Sequence, residues 1–284
     1  MTLLDPPGIP ADDRAFLLGD GLFETLRLYR GRPFRLTAHL ERLEEGAERL
    51  GIPVPGDLRG RVDQALEDWG DREGALRVTV SRGAGAGLAP APGREPLAAV
   101  QIREWRPEPR WWTEGFRAHL TGRVHAEALT AGIKGIGYLE RIQALRDARA
   151  RGFDEAILLN ERGLAMGGSA SNLLVVEGRS VTAPGAGAGA LPGVTRRVVL
   201  EVLEGAGYRI REEGVEPEAF SQASEVLLTS SLREVVPVVR VGKEVVGSGV
   251  PGPVLLTTLR GLRERVASEL GFQGMEPEGP APGA

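Results

Sequence analysis

The sequence predicts an α+β protein with two subdomains. Residues 23–29 (Phe-Glu-Thr-Leu-Arg-Leu-Tyr) alternate with the period of two that is typical of a half-buried strand. Leu40, Leu43, Ala47 and Leu50 instead recur at the spacing of an amphipathic helix. Strand and helix patterns follow one another without the strict β-α-β-α order of a parallel sheet, and this mixture favours the α+β class.

The first half of the chain begins with strands and continues with helices. Residues 14–34 fit two short strands joined by a turn at 30–33, and Thr37 is the expected N-cap of a helix that ends at Gly51. A second helix is predicted over 57–69 and strands at 75–81 and 97–103. The glycine loop 82–90 resembles a dinucleotide-binding fingerprint, but it leads into a strand and not a helix, so we reject that interpretation.

The segment 105–112 carries Trp105, Trp111 and Trp112 without any period, which predicts a crossing between the two subdomains. The apolar face predicted for the next helix consists of Leu139, Ile142, Leu145 and Ala148. The elements predicted for the second half are strand 116–123, helix 138–151, strands 155–160, 172–176 and 179–183, helix 194–206, strand 225–229, a hairpin near 235–246 and helix 253–270.

Composition excludes several classes of protein. The net charge of −4 and the pI of about 5.6 argue against nucleic-acid binding. The chain has no cysteine, which excludes disulfides and thiolate chemistry, and its three histidines show no metal-ligand spacing. No apolar run approaches the roughly 20 residues that a membrane span needs, and the N-terminus does not resemble a signal peptide. We therefore expect a cytoplasmic protein that neither enters membranes nor holds a metal.

Amine chemistry has few candidates, because the chain has two lysines. Lys134 has small or apolar neighbours, and a lysine withdrawn from water acquires a depressed pKa and becomes a Schiff-base nucleophile. A surface lysine in a flexible turn is the alternative interpretation. Lys243 falls at a predicted hairpin tip, where we expect it to be solvated.

Two segments offer donors for a phosphate group. The glycine-rich run 185–193 leads into a helix whose first N–H groups can bind an anion, and Thr195 adds a hydroxyl. Residues 229–231 (Thr-Ser-Ser) end a strand with further hydroxyls. Either segment is also typical of an ordinary loop or cap.

Taken in order, these features resemble the fold-type IV pyridoxal-phosphate enzymes. The blocks that carry the resemblance are Gly-Asp-Gly-Leu-Phe-Glu-Thr at 19–25, His-Leu-Glu-Arg-Leu at 39–43, Ala-Gly-Ile-Lys at 131–134, Leu-Pro-Gly-Val-Thr-Arg at 191–196 and Leu-Thr-Ser-Ser-Leu-Arg-Glu at 228–234. The resemblance implies a homodimer that acts on a small-molecule amino substrate. Each chain would have a small α/β domain (1–112), an interdomain segment (113–124), a larger pseudo-barrel domain that binds pyridoxal 5'-phosphate (125–272) and a disordered tail (273–284).

The resemblance also implies roles for single residues. Lys134 becomes the catalytic lysine that forms the Schiff base and later moves protons. The implied cofactor-binding residues are Arg42, Lys134, Gly193, Val194, Thr195, Ser230 and Ser231. The implied substrate residues are Phe23, Thr25, Arg82 and Tyr138.

One position departs from the family pattern. The glutamate that normally precedes the Gly-Ser-x-x-Asn segment, and that keeps the pyridine nitrogen protonated, is replaced by Gly167. Such a charge-assisted hydrogen bond contributes about 1.5–3 kcal/mol. On this basis alone, a Gly167→Glu variant is expected to bind the cofactor more tightly and to turn over faster.

Among family members the chain most resembles 4-amino-4-deoxychorismate lyase, which releases pyruvate and 4-aminobenzoate in folate biosynthesis. The 82–90 loop lacks the Arg-x-His pair of D-amino-acid transaminases, and three tyrosines are few for a branched-chain enzyme. A class-IV transaminase (D-amino acid, (R)-amine or branched-chain) and a cofactor-binding homologue with weak activity remain the alternatives.

Overall fold

The computed structural model describes residues 2–4, 8–90, 95–123 and 130–272, with backbone alone at 2–4, 122 and 123. Its chain divides into two compact units. The first comprises the described residues of Met1–Arg106 together with Ile133–Tyr138, and the second those of Pro107–Gly132 and Leu139–Ala284. The predicted tail at 273–284 and His125 lie outside the described residues.

The described part of the first unit is a five-stranded sheet with helices. Its elements are β1 (Thr2–Leu4), α1 (Arg14–Leu18), β2 (Gly21–Tyr29), β3 (Arg32–Pro33), α2 (Leu36–Leu50), α3 (Leu58–Trp69), β4 (Gly74–Ser81) and β5 (Leu97–Glu104). All strand pairs are antiparallel, in the order β1-β5-β4-β2-β3.

Alternation along the strands separates the two faces of this sheet. One face packs against α2 and α3 and forms the core, to which β2 contributes Leu22, Leu26 and Leu28. The opposite face carries the intervening residues, including Phe23 and Thr25 on β2. The sheet therefore places an apolar layer on one side and leaves aromatic and polar side chains for the other.

Two predictions for the first unit are wrong. Residues 14–18 form a helix, not a strand: the Asp13 side chain accepts the N–H of Ala15 at 2.8 Å, and Gly19 ends the helix in the left-handed conformation. The helix α2 begins at Leu36, so Thr37 is an exposed first-turn residue and not the N-cap. Burial of Leu36 in the core accounts for this earlier start.

The described part of the second unit contains a larger, mixed sheet. Its elements are α4 (Arg110–Thr113), β6 (Phe116–Arg123), α5 (Leu139–Ala150), β7 (Glu155–Leu159), β8 (Ala165–Gly168), β9 (Asn172–Glu177), β10 (Ser180–Thr182), a 3-10 turn (Ala186–Ala188), α6 (Val194–Gly205), β11 (Arg209–Arg211), α7 (Ala219–Gln222), β12 (Glu225–Ser230), β13 (Glu234–Val241), β14 (Glu244–Val245) and α8 (Pro253–Leu270).

The order of its strands is β11-β10-β9-β12-β13-β6-β7-β8, with β14 paired to β13. The registers bring two turns to one end of this sheet: 169–171, between β8 and β9, and 231–233, between β12 and β13. The start of β7 lies at the same end, because Ile157 pairs with Gly168.

The helix α5 forms at the predicted position, but it buries a different face. Ala144 and Ala148 pack against the sheet, whereas Leu139 and Ile142 are 78% and 59% exposed. Strand β8 has no counterpart among the predicted elements, because its sequence Ala-Met-Gly-Gly has neither alternation nor β-branched residues. None of the helices in the described ranges has the length and apolar character needed to cross a membrane.

Candidate functional site

The segment that carries Lys134 is attached to the edge of β2 by its backbone. The N–H of Phe23 donates to the carbonyl of Lys134 and the N–H of Ile136 donates to that of Gly21, both at 3.0 Å. Gly21 allows this approach, since a Cβ there would lie 2.6 Å from Ile136 and 2.7 Å from the carbonyl oxygen of Val80. Lys134 is therefore held by sheet-like hydrogen bonds although the segment is not itself a strand.

The amine of Lys134 lies among aromatic side chains. Its Nζ is 3.2 Å from the hydroxyl oxygen of Tyr138 and 4.5 Å from the ring centroid of Phe23. The two rings contact each other edge to face, with centroids 5.2 Å apart. Three of the residues predicted from the sequence are thus brought together within the first unit.

Arg77 also lies beside the Phe23 ring, although the sequence did not indicate it. Its guanidinium carbon lies 3.7 Å from the Phe23 ring centroid, and its Nε donates to the hydroxyl of Thr79 at 3.2 Å. No carboxylate among the described residues pairs with it, and burial lowers its pKa from the ordinary value. Arg77 pairs in register with Thr25, so an unpaired cation lies beside two of the predicted substrate residues.

On the opposite face of the sheet, Glu24 joins His39 and Arg42. The fully buried carboxylate accepts two hydrogen bonds from Arg42, through Nε and Nη2, and one from Nδ1 of His39, each at 2.7 Å. Burial alone would raise the pKa of Glu24, but the hydrogen bonds and the charge of Arg42 outweigh it and hold the pKa at about 2. Burial lowers the pKa of His39, so a neutral imidazole donates to an ionised carboxylate.

Arg82 is a predicted substrate residue, and its guanidinium donates hydrogen bonds to groups of the first unit. It binds Asp20 at 2.8 Å and the carbonyl oxygens of Leu50 and Gly51 at the end of α2. Burial raises the pKa of Asp20, but hydrogen bonds from Arg82 and Arg14 lower it below its ordinary value. These contacts fix the start of the 82–90 loop.

The second unit contains the predicted phosphate donors at the start of α6. Gly193 is the N-cap and supplies no side chain, so the first N–H groups of the helix, including those of Val194 and Thr195, have no capping side chain. Asn172 holds the preceding loop by donating to the carbonyl of Leu191 at 2.7 Å. A Cβ on Gly193 would collide with Oδ1 of Asn172, which explains why glycine occupies this position.

Hydroxyl groups adjoin this helix terminus. The Oγ1 of Thr195 and the Oγ of Ser231 are 3.5 Å apart, and Ser230 accepts the N–H of Arg233 at 3.2 Å. Thr229 is 1% exposed, and its hydroxyl has no hydrogen-bond partner in the part of the chain that the structure describes. Helix N–H groups that lack a capping side chain, with the hydroxyls of Thr195 and Ser231 beside them, are donors that a bound phosphate would engage.

Gly167 is buried on β8, opposite Leu158. A Cβ at this position would lie 2.7 Å from the carbonyl oxygen of Ser171, because the turn that follows folds back closely. The same turn brings Ser171 Oγ onto the place that a Cβ on Gly168 would occupy. The backbone is therefore adapted to glycine at 167 and does not simply lack a side chain.

Lowering the pH should destabilise the protein through Glu24. Its pKa is depressed on folding, so its stabilisation is complete above the ordinary value of 4.5 and is lost as the pH falls towards about 2. The loss should amount to about 3 kcal/mol, measured as the free energy of unfolding in urea against pH. His39 adds a loss that begins higher, below its ordinary pKa of 6.5. A Glu24→Gln variant with an equally steep curve between pH 4.5 and 2 would contradict this assignment.

Known proteins share this sequence pattern along most of the chain. The chain is 30% identical to the aminodeoxychorismate lyase of Vibrio harveyi over 234 residues, which cover 81% of this chain and 86% of the lyase. It is 28% identical to the D-alanine aminotransferase of Bacillus licheniformis over 271 residues, covering 92% of this chain and 93% of that protein.

A solved structure extends the similarity to the fold. The branched-chain amino acid aminotransferase of the thermophilic archaeon Thermoproteus uzoniensis, solved with norvaline, superimposes with a TM-score of 0.82 at 26% identity, covering 94% of this chain and 91% of that one. Similarity of this kind confirms the predicted fold class. The model of the amino-transferase class IV family matches residues 21–241, and the chain therefore belongs to this family of pyridoxal-phosphate-dependent aminotransferases and lyases.

Proposed function

We propose that this enzyme converts 4-amino-4-deoxychorismate into 4-aminobenzoate and pyruvate, with Lys134 as its catalytic residue. The observation that carries the proposal is the amine of Lys134, held beside the Tyr138 hydroxyl and the Phe23 ring. The guanidinium of Arg77, which pairs with no carboxylate in the described ranges, lies on that same ring. An amine, a hydroxyl and a cation together suit an amino substrate that carries a carboxylate.

The residues of the first unit can move and place protons. When bound, pyridoxal phosphate supplies an electron sink for a carbanion next to the substrate nitrogen. Lys134 would hold the cofactor, and its amine would carry protons between substrate atoms. Tyr138, 3.2 Å from Nζ, orients that amine and can exchange a proton with it.

The donors of the second unit fit the cofactor phosphate. The proposed phosphate-binding set consists of Gly193, which is an N-cap without a side chain, the N–H groups of Val194 and Thr195, and the hydroxyls of Ser230 and Ser231. Arg42 stays part of this proposal. Its bidentate contact with Glu24 fixes the orientation of its guanidinium.

Arg77 bears on the choice of substrate. The half-buried guanidinium of Arg77 pairs with no carboxylate among the described residues and would be stabilised by an anionic ligand, and 4-amino-4-deoxychorismate carries two carboxylates. D-alanine and branched-chain amino acids each carry one carboxylate, so Arg77 supports any of these substrates and does not by itself select the lyase substrate. The second candidate, a class-IV transaminase, is supported by the similarity to the D-alanine aminotransferase. The third, a cofactor-binding homologue with weak activity, is supported by Gly167.

A homodimer belongs to the same proposal. Three adjacent side chains of α1 are exposed: Phe16 by 73%, Leu17 by 51% and Leu18 by 46%. Arg14 ties α1 to the 82–90 loop by donating to the carbonyls of Gly87 and Leu88. We call Phe16, Leu17, Leu18 and Leu88 the α1 patch; such exposed apolar groups are typical of subunit interfaces.

Reduction with borohydride in the presence of pyridoxal phosphate should attach the phosphopyridoxyl group to Lys134. Peptide mapping by mass spectrometry locates the label. A Lys134→Ala variant should remain unlabelled, whereas Lys243→Ala, which changes the exposed lysine at the β13–β14 turn, should label as the wild type does. Label on Lys243 would refute the role of Lys134.

Incubation with 4-amino-4-deoxychorismate should release pyruvate without any keto-acid acceptor. Arg77→Gln should raise KM about tenfold or more while kcat changes little, because the variant loses a charge-assisted contact to the ground state and transition state alike. Arg103→Gln, a change on β5, serves as the control. Conversion of the cofactor to its pyridoxamine form by D-alanine, with no pyruvate from the lyase substrate, would favour the transaminase.

Introducing a side chain at Gly167 should lower stability and bring no gain in activity. The added Cβ would lie 2.7 Å from the Ser171 carbonyl oxygen, and for this reason we propose for Gly167→Glu the opposite of what the sequence pattern alone suggests. We expect Gly167→Ala to cost about 1–3 kcal/mol of unfolding free energy. Gly187→Ala, with open space around its Cβ, should be nearly neutral. Tighter cofactor binding by Gly167→Glu would show that the turn yields readily.

The wild type should behave as a dimer in light scattering coupled to gel filtration. Phe16→Glu introduces a charge into the α1 patch and should shift the equilibrium to monomer. Val250→Glu, which alters an apolar residue exposed by 62% in the second unit, should leave the dimer intact. A Phe16→Glu variant that remains fully dimeric would move the interface elsewhere.

A further inference from the structure

Glu155 is a buried carboxylate that the proposed chemistry does not use. It is the first residue of β7 and is 0% exposed. Its Oε1 accepts the N–H of Ala156 at 3.0 Å and both the N–H (3.2 Å) and the hydroxyl of Ser169. Its Oε2 accepts Nη1 of Arg233 at 3.0 Å. Every oxygen of this carboxylate is thus engaged with donors from separate parts of the second unit.

The guanidinium of Arg233, which binds Glu155, also lies near two aromatic rings. Its guanidinium carbon is 5.4 Å from the ring centroid of Phe116 and 5.6 Å from that of Trp111. Its backbone N–H donates to Ser230. The side chain of Arg233 is 29% exposed, whereas Glu155 is inaccessible, so the acid anchors the arginine.

The pair links two turns that are distant in sequence. Through Ser169 it holds the turn 169–171, and through Arg233 it holds the turn 231–233. The first turn leads directly into Asn172, which fixes the loop before α6; the second contains Ser231, whose hydroxyl lies 3.5 Å from that of Thr195. Both turns therefore adjoin phosphate donors, and Glu155 connects them.

Stability alone is a poor reason for a buried ion pair at this position. Removing two charged groups from water costs several kcal/mol, and apolar residues of similar volume often stabilise a protein as well or better. Directional hydrogen bonds from a buried charge do, however, restrict a turn to one geometry. Another buried acid of this sheet, Glu225, uses its oxygens to accept the N–H groups of Val254 and Leu255 and so serves the start of α8.

We propose that Glu155 and Arg233 are positioning residues that fix the spacing of the phosphate donors. The proposal rests on the phosphate-binding set described under the proposed function. If Arg233 no longer bound Glu155, the turn 231–233 would shift relative to the start of α6, and Ser231 and Thr195 would no longer meet the same phosphate. Recognition of the phosphate would suffer, while the reaction of Lys134 with an aldehyde would not.

The experiment compares the affinities of pyridoxal phosphate and pyridoxal, which differ only in the phosphate. In Arg233→Met we expect the affinity for pyridoxal phosphate to fall about tenfold, which is the effect of losing one charge-assisted contact. The affinity for pyridoxal should be unchanged. Arg233→Lys should restore most of the wild-type ratio between the affinities for pyridoxal phosphate and pyridoxal. Glu155→Gln, which keeps an acceptor for Ser169, provides a second route if Arg233→Met folds poorly. Glu225→Ala is the control for loss of a buried carboxylate without effect on the two turns.

The proposal is overturned if the ratio of the two affinities is unchanged in Arg233→Met and Glu155→Gln. It is also overturned if Glu225→Ala loses affinity for pyridoxal phosphate by the same factor as Arg233→Met. A wild type that binds both compounds equally overturns both the phosphate-binding set and the role of Glu155. A wild type that prefers pyridoxal phosphate, loses that preference in Arg233→Met and regains it in Arg233→Lys supports the proposal. That result holds even if no pyruvate is released, in which case the lyase assignment alone fails.

Discussion

The pairing of the Lys134 segment with the edge of β2 is the interaction on which the candidate chemistry depends. Two backbone hydrogen bonds, to Phe23 and Gly21, replace the regular structure that the segment itself lacks. Backbone contacts leave the side chain of Lys134 unused, so its amine stays available while its position is set by the sheet. Gly21 makes this pairing possible, because a Cβ at this position would lie 2.6 Å from Ile136 and would push the Lys134 segment away from β2.

Buried carboxylates organise much of the remaining structure, and each has partners. Glu24 and Glu234 are each bound by one arginine through two nitrogens, Glu155 combines Arg233 with backbone N–H groups, and Glu225 accepts the backbone N–H groups of Val254 and Leu255. A guanidinium presents its donors in a planar fork, and an ammonium does not. The scarcity of lysine in this chain therefore has a structural consequence: the cations that bind these buried acids are arginines, which can contact a carboxylate through two nitrogens.

Local patterns explain which features the sequence could predict. The helices α2, α3, α6 and α8 and most strands follow from the spacing of apolar residues and from glycines at helix ends, and Lys134 stands out because its neighbours are small or apolar. Arg77, Glu24 and Glu155 give no such signal, because the role of each depends on residues of another element that contact it. The predicted face of α5 is wrong for a related reason: two alanines pack close to the sheet, and larger apolar residues at the same spacing remain outside.

The close turn after β8 has an evolutionary consequence. A carboxylate at 167 requires more than a new side chain, since its Cβ would lie 2.7 Å from the carbonyl oxygen of Ser171 and the turn would have to shift. The turn would first have to lengthen or reorient, a change with no benefit of its own while 167 is still glycine. The effect of a side chain at 167 therefore depends on the conformation of the turn 169–171, so the two features are expected to be epistatic.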